Sequence, residues 1–239
     1  LPMLVKLVKR DGRYVPDRFL RATDFSDQLA QQNNPDWKTL AYDETSGKVI
    51  VPNGSIGFRW GQTDGKWNLE EKDTKGNATK LQLTFAGDKD ELADVGFPYF
   101  GNREHDYFAG TDHPSVLVRK VPAKRVKLKD GEALVATVFD LFAANYGLDR
   151  GFGGKHVAKS YDDNEPYTPA WAEKISGVPR DQIITVAREF ALNAEKTKGR
   201  SMIIIGAAMN HWFHCDMNYR GAINMLVLCG CVGQSGGGW

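Results

Sequence analysis

No apolar run in this sequence approaches the roughly 18 residues that a membrane-spanning helix requires. The longest uninterrupted one, Met225 to Cys229, is far shorter. Cysteine is scarce: Cys215, Cys229 and Cys231 are the only three in 239 residues. That is too few for a disulfide framework, and short of the about four ligands that a zinc or iron–sulfur site needs. A reducing compartment fits this usage. An excess of charge is missing as well. Lys plus Arg (31) nearly balances Asp plus Glu (30), so no global field draws nucleic acid or anionic lipid, and neither is expected as a partner. No Ser–His–Asp order and no carboxylate pair stands out. Leu1-Pro2-Met3-Leu4-Val5 lacks both a starting Met and the charged-then-apolar order of a signal peptide, and reads as a strand in progress. Gly236-Gly237-Gly238-Trp239 ends the sequence inside what reads as a functional loop. Both ends are therefore expected to lie inside a longer polypeptide.

The composition, 41% hydrophobic and 26% charged, is that of an ordinary globular protein, and its texture changes part-way. Residues 1–136 are strand-and-turn material. Leu4–Val8 and Tyr14-Val15 flank Asp11-Gly12, and Thr39–Tyr42 and Lys48–Val51 flank Thr45-Ser46-Gly47. Lys66–Leu69 and Lys80–Phe85 flank Lys75-Gly76-Asn77, and Arg125–Leu128 and Ala133–Ala136 flank Asp130-Gly131. Each reads as a hairpin.

Residues 137–239 read as an incomplete α/β segment. Val138, Leu141, Phe142 and Tyr146 recur at helical spacing, predicting a helix from Thr137 to Gly147. Gly151-Phe152-Gly153-Gly154-Lys155 misses the phosphate-loop spacing and reads as a surface loop. Asp162, Asp163 and Glu165 read as solvated acids. Thr168 then serves as an N-cap with Pro169 at the first helical position, and Gly177 stops that helix. Ile183, Ala187, Phe190, Ala191 and Ala194 form the stripe of a second helix closed by Gly199. Met202–Ile205 reads as a strand buried on both faces of a parallel sheet. Asp216 caps a last helix, and Gly230 stops it. This order fits part of a doubly wound α/β domain.

In such a sheet ligands bind beyond the carboxyl ends of the strands, which here means Gly206–Trp212. Asn210 and His211 either offer polar contacts at that mouth or serve as a cap and a satisfied core histidine. His214 reads as structural. Gly233-Gln234-Ser235-Gly236-Gly237-Gly238 is either a flexible linker or a nest of amides that binds phosphate. Cys229-Gly230-Cys231 reads as packing cysteines rather than a metal site.

Two patterns carry a resemblance. Thr168-Pro169-x-Trp171-Ala172-Glu173, with Gly177-Val178, Ile183 and Ala187-Arg188, resembles a segment of the molybdopterin oxidoreductases. Asn210–Gly221, continuing through Cys229–Trp239, resembles the signature of respiratory nitrate reductase alpha subunits, as do Pro52–Trp60 and Val95–Phe100. The resemblance covers the whole chain. It implies nitrate reduction to nitrite at a molybdenum centre held by two molybdopterin guanine dinucleotides (Mo-bis-MGD). It also implies a [4Fe-4S] cluster whose ligands, like the aspartate ligand of molybdenum, lie outside this chain.

The implied partners are nitrate, an iron–sulfur beta subunit and a membrane cytochrome b gamma subunit, placing the complex on the cytoplasmic face of the membrane. Asn210, His211, Gly233, Gln234, Ser235, Gly236, Gly237, Gly238 and Trp239 become the expected cofactor contacts, with His211 also near substrate. No residue here is expected to bind metal. By itself the chain is expected to be inactive and, lacking neighbours for Met202–Ile205, prone to aggregate. The alternatives are a nitrite oxidoreductase, a chlorate or selenate reductase, or, from another class, a non-catalytic nucleotide-binding module.

Overall fold

A computed structural model describes residues 1–25, 39–52, 71–73, 76–99 and 116–239. The expected strand Lys66–Leu69, the stretch 53–60, Lys75 and Phe100 lie outside the described residues. The chain divides into two compact units, Leu1–Ile175 and Ser176–Trp239.

The first unit is built on a closed barrel. Strands β1 (Leu4–Arg10) and β2 (Arg13–Phe19) form the expected hairpin, with Arg10 opposite Arg13. Its turn residues Asp11 (φ 50°) and Gly12 (φ 77°) are both left-handed, the twist that suits a two-residue hairpin. A single helical turn, α1 (Ala22–Phe25), precedes the small hairpin of β3 (Ala41–Asp43) and β4 (Lys48–Ile50). Strands β5 (Glu91–Pro98), β6 (Val116–Leu128) and β7 (Gly131–Thr137) complete the barrel in the order β1-β2-β5-β6-β7. All neighbours pair antiparallel except β2 and β5, which meet in parallel at Tyr14 and Val95. The expected strand Lys80–Phe85 does not form; a single isolated bridge between Asp43 and Leu81 ties this segment to β3.

The two-residue period of the strands builds two cores. Val5, Leu7, Ala93, Val95, Phe97, Val121, Ala123, Leu134 and Ala136 fill one. Leu4, Val126 and Val135 form the other with Leu20, Leu40, Val49, Val51 and Phe85. This explains why Leu134-Val135-Ala136 is apolar without alternation: β7 is buried on both sides. Helix α2 (Val138–Asn145) is capped by Thr137, whose Oγ1 accepts from the Asp140 amide at 3.0 Å. Its Leu141 and Ala144 pack into the first core. Residues 137–175 thus pack with the barrel in the first compact unit, which ends at Ile175.

Buried Arg119, 2% exposed, donates to the His156 carbonyl at 3.0 and 2.8 Å and to the Asn145 carbonyl at 2.9 Å. These bonds hold the glycine loop after α2. Helix α3 (Pro169–Ser176) starts as expected, with the Trp171 amide donating to Thr168 Oγ1 at 3.1 Å.

The β3–β4 turn depends on one carboxylate. Asp43, 4% exposed, accepts from the amides of Ser46 (3.0 Å), Thr45 (3.3 Å) and Lys80 (2.8 Å) and from the Ser46 hydroxyl (2.5 Å). Burial by itself raises its pKa, but the bonds from Ser46, Lys80 and Thr45 outweigh burial and hold it below the ordinary value. Its stabilising contribution is therefore complete above the unfolded-state pKa, roughly 3.9, and lost as pH falls through the lower folded value. The urea midpoint of the native chain should drop more steeply between about pH 5 and pH 3 than that of Asp43→Asn. Equal slopes would remove Asp43 from the account.

The second unit contains α4 (Arg180–Thr197), the short α5 (Ala207–Asn210) and α6 (Cys215–Leu228). Several expectations change here. Met202–Ile205 is not a buried strand: Met202 is 51% and Ile204 89% exposed, and one parallel bridge joins Met202 to Gly238. A lone extended segment without flanking strands has no ladder to join, so no doubly wound sheet forms among the described residues. The architecture is mixed α/β, with parallel pairing confined to β2–β5 and isolated bridges.

Along the α4 stripe only Ala194 is buried; Ile183 and Phe190 are half-buried, and Ala187 and Ala191 exposed. Lys198 (φ 57°), not Gly199, takes the left-handed closing position of α4, with the Gly199 amide bonded to Ala194 O at 2.7 Å. Asp216 lies inside the first turn of α6 and His214 (φ 57°) at its N-cap, so the aspartate favours the helix dipole rather than capping it. Gly230 (φ 65°) does stop α6, with the Cys231 amide reaching Leu226 O at 2.8 Å. A small core joins Ala194, Leu226 and Cys231 with Phe190, Ile203 and Cys229 around them. No helix among the described residues is long and apolar enough to cross a membrane.

Candidate functional site

The expected cofactor contacts all fall in the second unit, on two segments flanking α6. Before it, Asn210 ends α5 and His211 follows as its C-cap, both exposed. After it, Gly233–Trp239 runs back along the unit. The backbone bridge between Met202 and Gly238 includes a bond from the Ile203 amide to Gly238 O at 2.9 Å. The Tyr219 hydroxyl donates to Asn210 Oδ1, and the Tyr219 ring meets Trp239 edge-on at 5.4 Å and 89°. The fold thus brings the two segments together.

The glycines differ in purpose. Gly233 (φ 79°), Gly236 (φ 83°) and Gly238 (φ 94°) are left-handed, and at Gly233 and Gly238 a Cβ would meet nothing within 4 Å. At Gly236 the nearest atoms belong to the side chain of Arg200, at 3.9–4.0 Å. Gly237 is different: its Cβ would lie 2.2 Å from Gly199 O and 2.6 Å from Cys231 O. Backbone packs directly on Gly237, which leaves no room for a side chain. The amides of Ser235 and Gly236 have no acceptor among the described residues. Two free amides, with the stem of Arg200 alongside and open space at the flanking glycines, fit an anionic group such as a pyrophosphate.

Burial, then neighbouring Cys231, pushes the pKa of Cys229 up. No group of three or more metal-ligating side chains occurs among the described residues. The His214 ring lies tilted against Phe213, centroids 3.9 Å apart and planes at 56°. The residues that sequence reasoning missed are Arg200, Gly199 and Tyr219. Arg200 and Gly199 stand on the connection after α4, where only proximity in space reveals them. Tyr219 stood inside the recognised motif without a role.

No protein-family model matches the chain. Among curated proteins it is 60% identical over its full length to the respiratory nitrate reductase 1 alpha chain of Escherichia coli K12. It belongs to the respiratory nitrate reductase alpha-chain family. It is also 42% identical over its full length to the nitrate reductase alpha chain of Bacillus subtilis 168. Over 48% of its length it is 31% identical to the perchlorate reductase alpha subunit of Dechloromonas aromatica, covering 10% of that protein. The chain spans 19% and 18% of the two nitrate reductase alpha chains, about a fifth of their length. What this nitrate reductase alpha-chain segment contributes is thus a barrel unit and a helical unit carrying the two joined candidate segments.

Proposed function

We propose that the protein to which this segment belongs is the catalytic subunit of a quinol-linked nitrate reductase, reducing nitrate to nitrite at a Mo-bis-MGD centre. The observation that carries this reading is the 60% identity over the whole chain to a respiratory nitrate reductase alpha chain. Within it, the helical unit supplies part of the cofactor cradle of a doubly wound, molybdopterin-oxidoreductase-type domain completed by other parts of the subunit. A [4Fe-4S] cluster, an iron–sulfur beta subunit and a cytochrome b gamma subunit on the cytoplasmic face of the membrane complete the electron path.

When bound, the metal centre would supply the two-electron, two-proton redox chemistry that converts nitrate to nitrite and water. The residues here bind and orient. The Ser235 and Gly236 amides hold a pyrophosphate oxygen, and Arg200 lies alongside to balance its charge. Gln234 and Trp239 flank that site, and Gly233 and Gly238 leave it open. Asn210 and His211 present donors at the second segment, where His211 hydrogen-bonds a pterin edge or the substrate. Its role is orientation and stabilisation of negative charge rather than proton transfer.

In the intact enzyme, Arg200→Gln should lower the molybdenum and guanine nucleotide recovered per subunit. His211→Ala should lower turnover per molybdenum about 100-fold, the lower end of the range for losing one charge-stabilising donor. Molybdenum content and turnover both unchanged in His211→Ala would end the proposed role of that residue.

A further inference from the structure

We infer that Tyr219 is a positioning residue that sets the Asn210–His211 turn against the glycine loop; this rests on the reading of both segments as cofactor contacts. With 14 residues, α6 is about 21 Å long. The two segments leave from its opposite ends, so helix geometry alone would keep them that far apart. The turn at Gly230 sends the chain back, and by Trp239 it has returned to the second turn of the helix. There one side chain touches both segments: the Tyr219 hydroxyl donates to Asn210 Oδ1, and its ring packs edge-on against Trp239. The bridge from Met202 to Gly238 fixes the backbone of the glycine loop but does not reach Asn210. Tyr219 is the contact that relates one segment to the other.

The two functions of the side chain can be separated. Tyr219→Phe keeps the ring contact and loses the donor, whereas Tyr219→Leu loses both. A hydrogen bond that holds Asn210, and with it His211, where His211 stabilises developing charge is used in the transition state, so its loss lowers kcat and kcat/KM together.

The test uses the full-length subunit in its complex. It compares Tyr219→Phe, Tyr219→Leu, Asn210→Ala and the Tyr219→Phe/Asn210→Ala double variant. Tyr219→Phe should lower kcat per molybdenum about 2- to 12-fold, the loss expected for one net hydrogen bond, with the nitrate KM, molybdenum content and Tm nearly unchanged. The double variant should be no worse than Asn210→Ala alone, because the two share one bond. Tyr219→Leu should in addition lower the molybdenum and guanine nucleotide recovered per subunit.

Additive effects of Tyr219→Phe and Asn210→Ala, an unchanged kcat per molybdenum in both Tyr219 variants, or a fall in Tm without a kcat shift would each overturn the inference. Failure of the underlying reading looks different: Arg200→Gln and Gly237→Ala would then leave molybdenum and nucleotide content at the native level. If Tyr219→Leu does not assemble, Tyr219→Phe decides the matter.

Discussion

Asp140→Ala should destabilise the barrel unit by about 3–5 kcal/mol, the usual cost of stripping one partner from a buried charge pair. Asp140 is fully buried. Its carboxylate accepts from Arg150 Nη1 at 2.7 Å, the Thr84 hydroxyl at 2.5 Å, the Phe85 amide at 2.8 Å and the Thr137 hydroxyl at 3.0 Å. Arg150, with a side chain 18% exposed, also donates to Thr84 Oγ1 and lies over the rings of Phe139 and Phe152. Alanine would leave that guanidinium and the Phe85 amide without their acceptor, and would detach α2 from the Thr84–Phe85 segment.

Asp140→Asn keeps the shape but not the charge, so its cost should be intermediate. Removing both ends with Asp140→Leu and Arg150→Met should recover part of the loss, since an isosteric apolar pair carries no desolvation penalty. Urea unfolding followed by circular dichroism measures each variant. A loss below about 1 kcal/mol for Asp140→Ala, the level of an ordinary surface pair, would show that the network contributes little.

Gly237→Ala should have the second largest effect and act on the helical unit. The new Cβ would meet two backbone oxygens, Gly199 O at 2.2 Å and Cys231 O at 2.6 Å. Neither can rotate away as a side chain would. The glycine loop must then lift from the connection after α4 and break the bridge between Met202 and Gly238. Overpacking of this kind costs about 1–3 kcal/mol, and here the upper end is expected because both contacts are backbone.

Gly199→Ala should be comparable. Its Cβ would meet Gly230 O at 2.3 Å, and its φ of 92° suits no L side chain. Gly221 is the control. It lies within α6 with nothing within 4 Å of a Cβ, so Gly221→Ala should stabilise the unit by about 0.5–1 kcal/mol. In the full-length subunit Gly237→Ala should also lose cofactor, measured as molybdenum and guanine nucleotide per subunit. Native content and a native unfolding midpoint together would show that the close approach is relieved elsewhere.

Much of this protein was legible in sequence because its signals are local. Asp11-Gly12, Thr45-Ser46-Gly47 and Asp130-Gly131 specify hairpins through turn chemistry. Thr137 and Thr168 specify helix starts, since a hydroxyl there satisfies an amide that the helix cannot. The motif from Asn210 to Trp239 carried the family. Contacts between residues distant in sequence stayed hidden. Closure of β1 onto β7 decides that the barrel exists, and it depends on pairing Leu4 with Thr137. The fate of Met202–Ile205 could not be read from its apolarity, because such a run becomes a buried strand only where neighbours supply a ladder and a cover. The place of residues 137–175 was decided by Leu141 and Ala144 entering the barrel core.

The candidate site divides the same way. Sequence alone identified the glycine loop and the Asn210–His211 turn, because glycine spacing and a polar turn are properties of adjacent residues. Only the tertiary structure decided that they meet, that Arg200 lies beside the loop, that Gly237 serves packing while its neighbours stay open, and that Tyr219 joins the halves. A helix separates its ends by its own length, and what brings them back is packing between residues that the linear order keeps apart.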